Sequence, residues 1–200
     1  WEGIDGLRDF DKLMEVTDTC GWERNMGSTV SAGHLGCYVA HVGLWSHLTG
    51  LDADVALICE DDVTFGPGFV DALTAALEAP DAYDILRFSK LRAKFPMLQK
   101  RLGSYSIVAY WGPFTGSACY LIRRETAAEL SKRFYPIQRA HDHEMNRFFD
   151  HNFRLFGLEP FTAASNDHDE SFITGSAMAK VRKFPKYQRL PHYLQKLTNY

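Results

Sequence analysis

Residues 55–59, VALIC, run apolar without a break and end on three carboxylates, Glu60, Asp61 and Asp62. An unbroken apolar run of this length is what a strand buried on both faces looks like, and such strands belong to sheets covered by helices on both sides. The flanking pattern agrees. His34, Tyr38, His41, Trp45 and Leu48 recur at steps of four, three, four and three, which predicts one face of a helix over 33–49, with Gly50 just past its end. After the FGPGF turn, residues 69–78 predict an amphipathic helix. YDILRFS (83–89), SIVAYWG (106–112) and GSACYLI (116–122) read as further strands, and FRLFGLEP (153–160) as a short strand and turn. Helices are expected around 7–16 and over 125–134 and 142–150, with the rest of 1–32 polar and Gly-punctuated. Residues 90–105, with Pro96 and five Lys or Arg, read as a basic loop or irregular helix. Strands alternating with helices predict an α/β fold, a single mixed sheet flanked by helices.

Asp and Glu are poor strand residues, so three of them at a strand's end are aimed into the crevice beyond the sheet's carboxyl edge, where open α/β sheets bind ligands. In an extended segment Glu60 and Asp62 point the same way and Asp61 the other. Two carboxylates on one side suit a hard divalent cation that keeps positions open for phosphate oxygens. Two other readings stand beside this one. The triplet is a solvated acidic turn, or EDDVT is a haloacid-dehalogenase-type DxDx(T/V) motif in which Glu60 stands where the nucleophilic Asp is needed.

The chain carries 22 Lys and Arg against 25 Asp and Glu. Six of the cations and none of the acids lie in 180–200, which leaves residues 1–179 with 16 cations against 25 acids, a net of −9. Such a balance excludes a global pull towards nucleic acid. It marks 1–179 as the folded body and 180–200 as a basic, aromatic tail, either an arm for an anionic membrane surface or a solvated helix. Cys20, Cys37, Cys59 and Cys119 form no CxxC pair and read as buried free thiols in a reducing compartment. No apolar run is long enough to span a bilayer and no signal peptide leads the chain, so a cytoplasmic protein, peripheral at the inner membrane face, is expected. The sequence starts at Trp1 rather than Met, as a fragment would.

GHLGCYVAH (33–41), LWSHL (44–48) and ALICEDDV together resemble glycosyltransferase family 25, whose pattern is G-E-x-G-C-x-x-S-H, a short helix, then a hydrophobic strand into E-D-D. YDILRFS, GSACYLIRRETAAEL and NDHDESFI resemble the family's later segments, and WEGIDG the end of its V-x-A-x-D-G segment. His34 stands at the family's Glu and Ala40 at its Ser, and its opening I-N-L-x-x-R-like strand would lie before Trp1. The resemblance implies a GT-A-like (Rossmann-like) fold lacking its first strand. It also implies a UDP-sugar donor, Mn²⁺ or Mg²⁺, inversion at the sugar carbon, and a hexose, galactose above all, passed to a glycan or glycolipid such as lipooligosaccharide. The collagen-modifying relatives make a protein hydroxyl an alternative acceptor, and a degenerate, non-catalytic binding module is a further alternative.

Carried onto this chain, the resemblance makes Glu60 and Asp62 metal ligands with His168 as a third, and Asp61 a contact to the donor sugar or ribose. Asp142 matches the general base that takes the acceptor's proton, with Glu144 and Asp169 in reserve; its place also suits a helix N-cap. His41, Gly116 and Arg87 are expected to bind the donor, with Arg92 and Lys94 as further phosphate or acceptor contacts. His34, Cys37 and His41 share a helix face, which suits a zinc site but lacks an evident fourth ligand, so helix packing is the simpler reading. Tyr110, Trp111 and Phe114 suit an aromatic platform for a sugar, or the core.

Overall fold

The computed structural model describes residues 3–166 and 181–196. Its centre is a six-stranded mixed sheet built from β1 (Val55–Cys59), β3 (Ile85–Arg87), β5 (Pro96–Leu102), β6 (Tyr105–Tyr110), β8 (Cys119–Arg123) and β9 (Leu155–Glu159), in the order β1-β8-β3-β9-β6-β5. Only β3 and β9 run parallel; the other neighbours are antiparallel. Two small ribbons lie beside it, β2 (Val63–Phe65) with β10 (Ala163–Ser165) and β4 (Arg92–Ala93) with β7 (Phe114–Thr115).

Alternation along the strands divides the core into two layers. Ile85 on β3, Tyr120 and Ile122 on β8, and Val108 on β6 pack with Tyr38, Val42 and Trp45 of α3 (Ala32–Leu48) and with Ala127 and Leu130 of α5 (Arg124–Arg133). Leu86, Cys119, Leu121 and Ile107, one residue out of step, pack with Ala72 and Ala76 of α4 (Phe69–Leu77). A period of two fixes which residue meets which helix. On β1, Ala56 and Ile58 join the α3 layer, and Glu60 continues their parity because its N–H still bonds the Ala118 carbonyl at 2.8 Å. Asp84 ties two strands at their shared end. One carboxylate oxygen takes the Arg154 backbone N–H at 2.7 Å and the other its guanidinium at 2.7 Å.

Several expectations change. VALIC is a strand, but an edge strand: among the described residues only β8 pairs with it, and Leu57 and Cys59 are exposed. Residues 90–105 are neither loop nor helix. They form β4 and β5, and the hairpin from β5 to β6 turns at Gly103, whose φ is +59°. Of the five Lys and Arg there, Lys100 and Arg101 are charged residues of an exposed edge strand, Arg92 lies on β4, and Lys90 and Lys94 lie between strands. Helix α2 (Thr19–Met26) was not expected in the polar opening. Asp18 caps it by accepting the Gly21 N–H at 2.9 Å, and Gly27 ends it in the left-handed region. A short α1 (Phe10–Glu15) precedes it. The helix expected over 142–150 is two short ones, α6 (His141–Met145) and α7 (Phe148–His151).

Of the four cysteines only Cys119 is buried, and Cys20 and Cys59 are exposed. The basic tail is not a free arm within the described residues. Lys183 bridges to Ser28, and α8 (Leu190–Lys196) lies on α2, with the His192 ring 2.7 Å from the Asn25 carbonyl. Among the described residues no helix is long and apolar enough to cross a membrane.

Candidate active site

A cavity of about 410 Å³ opens where the carboxyl end of β1 meets the N-terminal part of α3, the β7–β8 connection and the start of α6. Glu60, Gly116, Ser117 and Asp142 line it, with His34 and Cys37 from α3, His141 from α6, Ser89 and Lys90 after β3, and Ala164 and Ser165 from β10. The wider hollow of about 500 Å³ between Glu78–Ala82 and Lys100 lies elsewhere on the molecule and gathers no comparable set of groups.

Glu60 arrives here because it keeps the parity of Ile58 and so faces α3. A directed chain of hydrogen bonds holds it. The Trp45 indole can only donate, and it gives its Nε1–H to the Tyr120 hydroxyl at 2.9 Å. Tyr120 in turn lies 2.8 Å from His41 Nδ1, and His41 Nε2 lies 3.2 Å from Glu60 Oε1. Because the Tyr120 oxygen already accepts from Trp45, its own proton goes to Nδ1. His41 is therefore the tautomer with hydrogen on Nε2, donating to Glu60. Ser117 Oγ donates to the same Oε1 at 3.1 Å. Two donors thus occupy Oε1, and neither of them bonds Oε2.

His41, Tyr120 and Trp45 are all buried, so this chain is screened from solvent. His141 stacks on His41 with centroids 4.2 Å apart, and its ring nitrogens are enclosed without a hydrogen-bond partner. Burial, then the neighbouring His41 and Arg87, hold His141 well below the ordinary imidazole range, so it is neutral. Cys37, His41 and Glu60 each offer one possible ligand atom, these atoms lie within 4.8 Å of one another, and they form the metal-capable trio among the described residues. The tautomer puts a proton, not a lone pair, on His41 Nε2. Burial, reinforced by Glu60, Asp142 and Asp62, pushes the Cys37 thiol far up, so it stays protonated. His34 does not join this group: its Nδ1 meets Ser31 Oγ.

Asp142 sits in the first turn of α6, whose cap residue is Ala140, so it is not the N-cap. Its Oδ2 accepts the Gly116 N–H at 2.9 Å and its Oδ1 the His143 N–H at 2.9 Å. Burial pushes the carboxyl up, but His143, Arg87 and the Gly116 N–H outweigh it and hold the group below the ordinary carboxylate range. Gly116 has φ +101°, and a Cβ there would stand 2.5 Å from the Leu91 nitrogen, so only glycine presents its N–H in this way. Gly116 and Ser117, adjacent in the chain, hold Asp142 and Glu60 respectively.

Other expected site residues fall elsewhere. Arg87 is fully buried behind the cavity. Its guanidinium bonds the Phe114 and Asp142 carbonyls and sits 4.8 Å over the Phe114 ring. Burial lowers it to about 10, still charged at neutral pH. It braces the site's backbone and does not face the cavity, so the expectation of a donor contact is corrected. Glu144 is also corrected. Its oxygens are committed to Arg139 at 2.9 Å and His151 at 2.7 Å, and it does not line the cavity.

Asp61 and Asp62 lie in a turn, closed by Val63 N–H to the Glu60 carbonyl at 3.3 Å, so the extended alternation assumed for Glu60 and Asp62 does not apply. Both are exposed at the rim. Asp62 Oδ2 accepts from Ser165 Oγ at 2.8 Å, which links it to the cavity wall and leaves Oδ1 without that bond. His168 and Asp169 lie outside the described residues. Arg92 and Lys94 do not line the cavity, whereas Lys90, which was not singled out, does. Tyr110 and Phe114 are core, and only Trp111 is exposed.

The family model for glycosyltransferase family 25 (LPS biosynthesis protein) matches residues 8–145. No curated protein matches the chain.

The chain of donors has a measurable cost. Tyr120→Phe leaves Trp45 Nε1 and His41 Nδ1 buried without their partner, and about 1–3 kcal/mol of folding stability is expected to be lost. Tyr83→Phe, which removes one bond to a backbone carbonyl, is expected to lose about 0.5–1.5 kcal/mol. Urea denaturation of both variants checks this, and equal losses would contradict the chain.

Proposed function

The chain belongs to glycosyltransferase family 25 and is a glycosyltransferase, and from that premise we propose that it moves a hexose, galactose above all, from a UDP-sugar to a lipooligosaccharide-type glycan with inversion, on a GT-A-like scaffold. The observation that carries this reading is the pairing of two carboxylates in one cavity by consecutive residues, Glu60 through Ser117 and Asp142 through Gly116. One carboxylate serves the donor's leaving group and the other the acceptor's proton.

Glu60 Oε2 and Asp62 Oδ1 are hard oxygen ligands with no hydrogen bond from the residues that hold their partner oxygens, a donor set that fits Mn²⁺ or Mg²⁺ with positions left over for phosphate. Such an ion, when bound, neutralises the diphosphate as it leaves. Lys90 adds positive charge on the cavity wall. Asp61, exposed in the turn beside Glu60, is assigned to the sugar or ribose. Asp142, kept ionised by its surroundings, takes the proton of the attacking hydroxyl; its two backbone N–H donors fix its direction without using all its lone pairs.

Acceptors of this kind sit at a membrane. Tyr187, Leu190, Tyr193 and Leu194 are exposed on the C-terminal segment, beside exposed Arg182, Lys183 and Lys186. We read this as an interfacial face for an anionic bilayer, each cation adding about 1 kcal/mol near the surface.

Two outcomes are expected. Asp142→Asn lowers metal-dependent transfer or slow hydrolysis of UDP-galactose by about 10²–10⁴-fold while Mn²⁺-dependent UDP binding persists; wild-type turnover in this variant would remove Asp142 as the base. In flotation with vesicles containing phosphatidylglycerol, binding falls steeply as salt rises, and salt-insensitive binding or none would remove the membrane role.

A further inference from the structure

We propose that Cys59 and Cys119 are a redox pair that closes a reversible disulfide between β1 and β8, and that closing it disturbs the carboxylate cavity. The two are register partners on antiparallel strands. The Glu60 N–H bonds the Ala118 carbonyl at 2.8 Å, so the neighbouring step, Cys59 opposite Cys119, is a non-hydrogen-bonded one. The backbone of Cys119 confirms this. Its N–H goes to Ser89 Oγ at 3.0 Å, and its carbonyl accepts from Phe88 N at 2.9 Å, both on the far side from β1. At such a step Cα atoms stand about 4.5 Å apart, within the roughly 4.4–6.8 Å a disulfide spans. The sulfurs are already 3.7 Å apart.

The pair is also arranged for access in one order. Cys59 is exposed on the edge strand, and Cys119 is fully buried beneath it. An oxidant meets Cys59 first, and Cys119 resolves. With a low-molecular-weight disulfide as oxidant, the Cys59 thiolate attacks one of its sulfurs and expels one small thiolate, leaving a mixed disulfide. Cys119 then gives up its proton and attacks the Cys59 sulfur, expelling the second small thiolate. Two protein thiols lose two electrons and two protons, and the small disulfide becomes two thiols.

The bond would draw the sulfurs from 3.7 Å to about 2.05 Å. Cys59 leads directly into Glu60, and Ser117 and Ala118, both lining the cavity, lead into Cys119. The displacement therefore falls on the 3.1 Å contact from Ser117 to Glu60. This coupling rests on the proposed role of Glu60, whereas formation of the bond does not.

The test is to incubate the whole chain with oxidised glutathione, alkylate with iodoacetamide, and map peptides by mass, while measuring Mn²⁺-dependent UDP affinity by calorimetry before and after. The expected result is a peptide pair joined through Cys59 and Cys119 within one monomer, loss of both thiols, and a severalfold fall in UDP affinity, all reversed by dithiothreitol; Cys59→Ser shows none of these changes with oxidant. Glutathione retained on Cys59 with Cys119 still free, or both thiols free, would overturn the pair. A mapped disulfide with unchanged UDP affinity would overturn the coupling. Absence of UDP binding in both states would defeat the nucleotide-sugar reading and the coupling with it, and the peptide map would still decide the pair.

Discussion

The Tyr120 hydroxyl is the hinge of the site. It is buried between the Trp45 indole, which can only donate, and the His41 ring, which can do either. One proton therefore has one place to go, and its direction passes through His41 to Glu60 Oε1. A buried polar chain is worthwhile only when every member is satisfied, and this one is satisfied from indole to carboxylate. It fixes which oxygen of Glu60 is occupied. Arg87 does the complementary work on the other wall, bracing the Phe114 and Asp142 carbonyls from behind.

The sheet makes this chain possible. Strand β8 places Tyr120 towards α3 and Cys119 and Leu121 towards α4, and β1 keeps Ile58 and Glu60 in the same register. Helix α3 brings Trp45 and His41 over that face one turn apart, as their spacing of four requires. The carboxylate, its donor, that donor's donor and the indole behind it thus come from residues 60, 41, 120 and 45, with Ser117 on the same connection that carries Gly116 to Asp142.

Much of this was legible in the chain. The 3.6-residue pattern of 33–49 is the observed α3 to within a residue, VALIC is a strand and YDILRFS holds one at Ile85–Arg87, and the first acid after VALIC, Glu60, does line a cavity at the sheet's edge. Other features were hidden for physical reasons. An apolar run shows that a strand exists but not how many neighbours pair with it, so the edge position of β1 was invisible. The charges of 90–105 suggested solvent exposure, correctly, but an exposed edge strand satisfies that as well as a loop does. Arg87 reads as a phosphate contact in the sequence because the residues that enclose it, Phe114 and Met145, are remote along the chain. Tyr120 and Trp45 lie in the GSACYLIRRETAAEL and LWSHL segments, but nothing there signalled a proton chain; that meaning lies in who donates to whom. For Glu144 the pairing with Arg139 and His151 had a local signal, an Arg five residues before and a His seven after, on either side of a helical turn.

The central claim is the direction of the proton chain, and ¹⁵N chemical shifts of the His41 ring test it most directly. In wild-type protein near neutral pH, Nε2 is expected to carry hydrogen and Nδ1 to resonate as an unprotonated acceptor. Hydrogen on Nδ1 with a bare Nε2 would contradict it, because His41 could then not donate to Glu60.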